Sequence, residues 1–523
     1  MDIVITLAGH SRRFVDAGYT KPKFLIELDG SPVIEHVLDM FSTDDRFHFV
    51  INKTQISGTP ELVSYLKNIR KQTYINIIEP HELGPVYSAQ QVSSVPDNTP
   101  IIISYCDFFV DWDYAQFLDV AAGYKSAIPA FSGFHPASFG ETNYAYMRVD
   151  GEGHLIELRE KQSFTSVRQE EPASTGLYYF DQWSTFCHYA RTLDKIGFGN
   201  LKEGYVSLLA NLIVEDGHLV KVTTIEKFIC FGTPEDLEHF EFWCKYFRSN
   251  SKFGRKPVNT SSQTVNLIPM AGRGSRFKKN NIQTRKPFIN VGNKPMLAKA
   301  CHSLPQADKW VFVALEEDEN KYPIKYLVEQ NLNGCVDVIT VPEVTSGQAI
   351  TCMAADEFLA EDNQLLISSC DYEVIYDYDS WQKVIDDPDI DACVWCVRPG
   401  ISLYKDPKAF AYCVLNKHSN EIIEIVEKNT ISDTPQNDPL AIGVFWFRKS
   451  ADFKEIVDIA IEKKMTINDE YYVATSMNLL IKSGKKIKVF FVDQWISYGD
   501  PFELKMYNYW EDYFWKRDTR KIR

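Results

Sequence analysis

NLIPMAGRGSRFKKNNIQTRKPFINVGNKP, residues 266–295, opens on a short apolar run of strand type and passes into a glycine-rich turn at residues 272–277. Glycines at 272 and 274 let backbone N–H groups approach an anion with no side chain in the way, and Arg276 and Lys286 bring positive charge to the same place. The stretch therefore outlines a phosphate site at the carboxyl end of a strand. A Gly-x-Gly pair alone marks an ordinary turn. The Arg-Phe that follows, the Lys-Pro at 286–287 and the turn ending in Pro295 make the reading specific.

Residues 3–32, IVITLAGHSRRFVDAGYTKPKFLIELDGSP, repeat this stretch at a constant offset of 263 residues, Gly9 to Gly272, Arg13 to Arg276, Lys23 to Lys286 and Pro32 to Pro295. The repeat continues along the chain. Gly84 falls on Gly347, and Asp107, after IIISYC, falls on Asp371, after LLISSC. Glu160-Lys161 falls on Glu427-Lys428, Gly176 on Gly443, Glu203 on Glu470, and Trp243 on Trp510. Two domains of one fold follow, residues 1–248 and 264–523, joined by a polar Gly/Pro/Ser-containing linker at 249–263. Strand-like runs alternating with helical patterns predict an α/β fold with mixed, mainly parallel sheets, in which ligands gather at strand carboxyl ends.

The glycine loop with its Arg and Lys resembles the first motif of the nucleotidyltransferases that activate sugar phosphates. The resemblance implies two tandem Rossmann-like domains of GT-A type and a reaction in which a substrate phosphate attacks the α-phosphate of an NTP, releasing pyrophosphate. By it, Ala271, Gly272, Gly274 and Gly347, with Ala8, Gly9, Ser11 and Gly84 in the first half, contact the nucleotide. Arg276, Lys286, Arg13 and Lys23 act at the reacting phosphates. Glu427, Lys428 and Gly443, with Glu160, Lys161 and Gly176, take the phosphorylated acceptor. Asp371 and Asp107 hold Mg²⁺, a hard ion that takes carboxylate oxygen; a cap or turn role is the plainer alternative for a strand-end Asp.

The family places a second metal-binding Asp where Cys230 and Ser497 stand here. Asp500 could replace it or cap the following helix. Ser11 stands where the second half has Gly274, so a side chain there crowds the phosphates or takes a strained backbone angle. His10 occupies a variable position of the motif.

A net charge of −15 on 523 residues argues against a nucleic-acid or anionic-membrane surface, while leaving room for a local phosphate pocket. No apolar run reaches membrane-spanning length, and the start lacks a basic n-region and cleavage site. With eleven Cys scattered in apolar runs, the expectation is a cytoplasmic protein with reduced thiols; Cys393 and Cys396 read as core rather than zinc ligands. The aromatic helices around Trp243 and Trp510 read as core, and residues 516–523 as a frayed tail.

The expected partners are an NTP and a phosphorylated small molecule, the expected product a precursor of surface polysaccharide, and homo-oligomerisation stays open. Two other readings stay open as well. A metal-dependent glycosyltransferase of GT-A fold has no need of a Gly-x-Gly-x-Arg loop, present here twice in outline. A nucleotide-binding regulatory protein with one inactive half would account for Ser11 and the missing Asp.

Overall fold

The apolar run Asp2–Thr6 is the middle of a sheet in the computed structural model, which describes residues 1–140, 142–249, 263–329, 332–400 and 406–521. Contacts divide the chain into two compact units, Met1–Cys244 and Lys245–Arg523. The division falls inside the helix Pro234–Ser249, four residues before position 248, and residues 250–262, most of the predicted linker, lie outside the described residues.

In the first unit Asp2–Thr6 pairs in parallel with Arg46–Asn52 and Ile101–Ser104, and Arg46–Asn52 with Thr73–Ile78. Beyond Ile101–Ser104 the sheet continues antiparallel through Leu177–Phe180 to Ser126–Phe131, which takes Val220–Thr224 in parallel. The second unit repeats this order. Thr264–Pro269 lies between Lys309–Leu315 and Gln364–Ile367, both parallel, and Leu440–Phe447, Ala392–Val397 and Ile487–Phe491 follow.

The central strands are mainly apolar because helices cover both sheet faces, so successive residues bury into opposite cores. Val265 and Leu267 join one cluster with Val311 and Val313, and Ile268 joins the other with Trp310 and Phe312. Each such side chain contributes about 1.5–3 kcal/mol by leaving water. The covering helices carry the matching stripe. In Ser450–Glu462, Phe453, Ile456, Val457 and Ala460 are buried at helical spacing.

Two short ribbons bring the end of each unit back to its site. Tyr372–Ile375 pairs antiparallel with Gln494–Ser497, and Phe108–Asp111 with Lys227–Cys230. The Tyr498 N–H then donates to the Asp371 carbonyl at 3.1 Å, and that of Phe231 to the Asp107 carbonyl at 2.7 Å.

Cys393 and Cys396 are fully buried in the strand Ala392–Val397, with Cys396 Sγ 3.6 Å from Cys413 Sγ. Trp243 and Trp510 are buried too. The reading of residues 516–523 as a frayed tail is corrected. The helix Pro501–Lys521 runs through 516–521, because its aromatic face buries Tyr509, Trp510, Tyr513 and Phe514 and Lys516 pairs with Asp512 one turn back at 3.3 Å; positions 522–523 lie outside the described residues. Among the described residues no helix is long and apolar enough to cross a membrane.

Candidate active site

In the second unit the glycine loop leaves the strand Thr264–Pro269 and ends at Gly274, whose φ of 61° and ψ of 34° cap the short helix Ser275–Lys279. A Cβ at 274 would stand 3.2 Å from Lys286 Cβ, so glycine serves both the left-handed turn and the approach of Lys286. Phe277 is buried and anchors the helix, while Arg276 beside it is exposed. Arg285 fastens the loop. Its guanidinium donates to the Gly272 carbonyl at 3.2 Å and pairs at 2.9 Å with Asp318, which is buried.

Lys286 Nζ lies 2.5 Å from Asp371 Oδ2, and Ser369 Oγ donates to Asp371 Oδ1. Burial alone would lower the Lys286 ammonium, but the Asp371 carboxylate outweighs it and holds the group above its usual range. Gly499 closes this corner, since a Cβ there would stand 2.3 Å from Asp371 Oδ2. Across the cavity, Glu427 ends the strand Ile422–Glu427, its carboxyl raised by burial against the pull of Lys428. Lys428 has φ 57°, and its Nζ donates to the Ala409 carbonyl at 2.6 Å. A residue with a Cβ costs about 1–2 kcal/mol in that conformation, and such strain gathers at ligand sites.

All ten residues singled out in this half, Ala271, Gly272, Gly274, Arg276, Lys286, Gly347, Asp371, Glu427, Lys428 and Gly443, line one cavity of about 570 Å³. Gly347 (φ 123°) caps the helix Gln348–Met353, and a Cβ there would meet the Tyr471 nitrogen at 2.5 Å. Ser497 lines the cavity, its Oγ donating to Glu503 Oε2 at 2.7 Å. Of the two roles open to Asp500, the structure displays the cap. Its Oδ1 accepts from the Phe502 and Glu503 N–H groups, each at 3.0 Å.

The first unit assembles the same elements. Lys23 Nζ lies 2.5 Å from Asp107 Oδ2, with Lys23 held charged by that carboxylate against burial. The Ala8 carbonyl accepts from Asn52 Nδ2 at 2.8 Å and the Gly9 carbonyl from Gln55 Nε2 at 3.3 Å. Gln55 stands in register with Asp318, so both units fasten the loop from the helix after the second parallel strand. Arg13 is exposed, like Arg276. Glu160 accepts from Ser207 Oγ, and Lys161 repeats the left-handed conformation at φ 59°. A Cβ at Gly84 would meet the Gly204 nitrogen at 2.8 Å, and one at Gly176 would meet Phe108 Cε1 at 2.9 Å. Cys230 is buried, and Asp236 accepts from the Thr233 N–H and Oγ1 at 3.0 and 2.9 Å.

Residues 3–197, which carry this loop, the Lys23–Asp107 pair and Glu160–Lys161, match the nucleotidyl transferase family. The chain is 26% identical over 188 residues to the bifunctional protein GlmU of Methanocaldococcus jannaschii, across 35% of this chain and 40% of that one. It is 20% identical over 281 residues to the bifunctional protein GlmU of Methanococcus maripaludis, across 52% of this chain and 59% of that one. These matches thus span 40% and 59% of the relatives' own length. Among solved structures, a nucleoside-diphosphate-sugar pyrophosphorylase from Vibrio cholerae RC9 superposes with a TM-score of 0.39 at 21% identity, covering 46% of this chain and 99% of that one.

Within the glycine loop, the two units differ at Ser11. Its φ of 51° and ψ of 35° reproduce Gly274 nearly angle for angle, so the serine carries the strain that the glycine avoids. Ser11 Oγ accepts from the Lys23 N–H only at 3.5 Å, a weak return. Ser11→Gly is expected to stabilise the first unit by about 0.5–1 kcal/mol, the relief of strain less the entropy glycine adds to the unfolded chain. Chemical denaturation of the full chain measures it. A lower midpoint for Ser11→Gly would show that the serine hydroxyl contributes more than the turn costs.

Proposed function

We propose that the second unit transfers a nucleotidyl group from an NTP to a sugar 1-phosphate or a related phosphorylated small molecule, releasing pyrophosphate. The observation that carries the reading is the convergence of the glycine loop, the Lys286–Asp371 pair and Glu427–Lys428 on one cavity. A phosphate oxygen of the acceptor attacks the α-phosphorus, the bond from that phosphorus to the bridging oxygen breaks, and the electron pair leaves with pyrophosphate. The nucleophile belongs to the substrate, so the protein contributes position and charge. Loop N–H groups at 272–274 face the triphosphate, Arg276 and Lys286 spread positive charge over it, Glu427 accepts from acceptor hydroxyls, and Lys428 meets the acceptor phosphate.

Mg²⁺ fits this donor set as an ion that arrives with the nucleotide. It is commonly bound by one or two carboxylates together with substrate phosphates and water, and Asp371 offers one carboxylate with the Ser369 and Ser497 hydroxyls near by. Among the described residues no three His, Cys, Asp or Glu side chains gather into a cage. Bound there, the ion would neutralise developing phosphate charge.

The reading extends to a cytoplasmic enzyme supplying activated precursors for surface polysaccharide, on family resemblance alone. For the first unit we propose a weaker or binding-only site, a reading favoured by the left-handed Ser11. The test is pyrophosphate release with each of four NTPs against a panel of sugar phosphates. One pair should stand out, and no release with any pair would overturn the proposal.

The proposed domains, 1–248 and 264–523, each carry a whole motif set, so a fragment of residues 264–523 is expected to fold and bind NTP. Circular dichroism and calorimetry on that fragment check this, with residues 245–523 as the companion. If both fragments are insoluble without the first half, the domain assignment fails.

A further inference from the structure

The proposed acceptor side of the cavity has a component that the glycine and phosphate motifs do not explain. Tyr472 lines the cavity and lies over Lys428, with Nζ 5.6 Å from the ring centroid, and its hydroxyl donates to the Glu470 carboxylate. In the first unit Tyr205, in register with Tyr472, takes the other partner. Lys161 Nζ lies 4.4 Å from the Tyr205 ring centroid and donates to its hydroxyl. Glu160, Lys161, Glu203 and Tyr205 match Glu427, Lys428, Glu470 and Tyr472 at one offset of 267 residues, so a four-residue group is repeated whole. Both lysines hold the same left-handed backbone, fixed where the Lys428 N–H donates to the Phe410 carbonyl at 2.8 Å and that of Lys161 to the Tyr144 carbonyl at 2.9 Å.

A phenol ring face attracts an ammonium, and its hydroxyl can accept from a lysine or donate to a carboxylate. The two units therefore display two settings of one device. With the hydroxyl on the lysine, the ammonium is committed to the protein. With the hydroxyl on the glutamate, the ring still orients the ammonium, which gives one N–H to the Ala409 carbonyl and can turn its others to an anionic ligand.

We infer that Tyr472 and Tyr205 are positioning residues for the lysine that meets the acceptor phosphate, and that the partner of the tyrosine hydroxyl sets whether that lysine is held or released. The inference rests on the proposed nucleotidyl transfer for its ligand, an acceptor carrying a phosphate. In unit 1 the tyrosine hydroxyl holds the lysine; in unit 2 it does not, and Lys428 Nζ keeps the Ala409 carbonyl at 2.6 Å and the Glu427 carboxylate at 3.8 Å as its partners.

Two measurements test it, one independent of turnover. In competitive acetylation of the full chain with acetic anhydride, read by peptide mass spectrometry, Tyr205→Phe should raise the reactivity of Lys161 severalfold. Tyr472→Phe should leave Lys428 within twofold, because only in the first unit does the hydroxyl hold the lysine. Equal changes at both lysines, or none at Lys161, would overturn the two settings. With the NTP and acceptor pair found in the pyrophosphate assay, Tyr472→Ala should raise the acceptor KM about tenfold, with kcat and the nucleotide KM within twofold. Tyr472→Phe, which keeps the ring, should raise the acceptor KM no more than about threefold, as expected for a cation–π contact. A nucleotide KM that rises with the acceptor KM, or an acceptor KM that Tyr472→Ala leaves unmoved, refutes the positioning role. If the wild-type protein releases no pyrophosphate with any pair, the proposed function fails by itself, and the acetylation result still decides the lysine–tyrosine device.

Discussion

Arg276→Ala is expected to lower pyrophosphate release about a hundredfold or more, and Arg13→Ala less than about tenfold. Removing one donor aimed at developing charge in a preorganised site costs on the order of a hundred- to a thousandfold in rate. Arg276 has the position for that effect. It follows Gly274, which adopts φ 61° without strain, it lines the cavity, and buried Phe277 fixes the turn that presents it. Arg13 follows Ser11, whose Cβ and hydroxyl occupy the space left open at Gly274, beside a lysine backbone that a Cβ at 274 would approach within 3.7 Å. The strain alone, about 1–2 kcal/mol, would weaken a ligand by a factor of about five to thirty if binding had to supply it. Single variants assayed with the preferred substrate pair measure the difference. Equal losses, or a larger loss for Arg13→Ala, would place the main activity in the first unit or divide it between both.

The repeat made most of the fold and of the candidate site legible before any coordinates. Strands such as Ile101–Ser104 and Gln364–Ile367 are buried on both faces and read as mainly apolar runs, and the loop, the strand-end Asp and the Glu-Lys pair are local patterns met twice. Illegible were the contacts that join distant segments. Arg285 reaches Asp318 and the Gly272 carbonyl, and the absent side chain of Gly499 makes room for Asp371, pairings that hydrophobic period and turn chemistry do not encode. Register could have found some of them. Gln55 falls on Asp318 and Tyr205 on Tyr472, polar residues recurring where packing alone would favour apolar ones. The C-terminal segment is the opposite case, because its run of charges follows directly on the aromatic face that keeps Pro501–Lys521 helical.

Asp371→Asn is expected to abolish Mg²⁺-dependent turnover in the second unit, by about a thousandfold, through two losses from one change. An amide is a poorer ligand for a hard cation than a carboxylate, and it removes the charge that keeps Lys286 protonated. Lys286 has its folded pKa raised, so the stability it contributes is fully present below the ordinary lysine value and is lost as pH rises through the folded value. At neutral pH the wild-type pair is therefore intact. With Asn at 371, burial acts on Lys286 unopposed and pulls its pKa down, so the phosphate-facing ammonium loses its proton at a lower pH than in the wild type. Lys286 and Asp371 side chains are 25% and 16% exposed, which limits the stability cost to about 1–3 kcal/mol, short of that for a fully buried pair. The variant should thus unfold cooperatively with a lowered midpoint while its turnover is gone. Asp107→Asn removes the same contact, Lys23 to Asp107 at 2.5 Å, and should cost similar stability with much less activity. The decisive measurement is the rate of Asp371→Asn in an Arg13→Ala background, where the first unit is disabled. An unchanged rate there would remove Asp371 from the reaction and leave it a structural partner of Lys286.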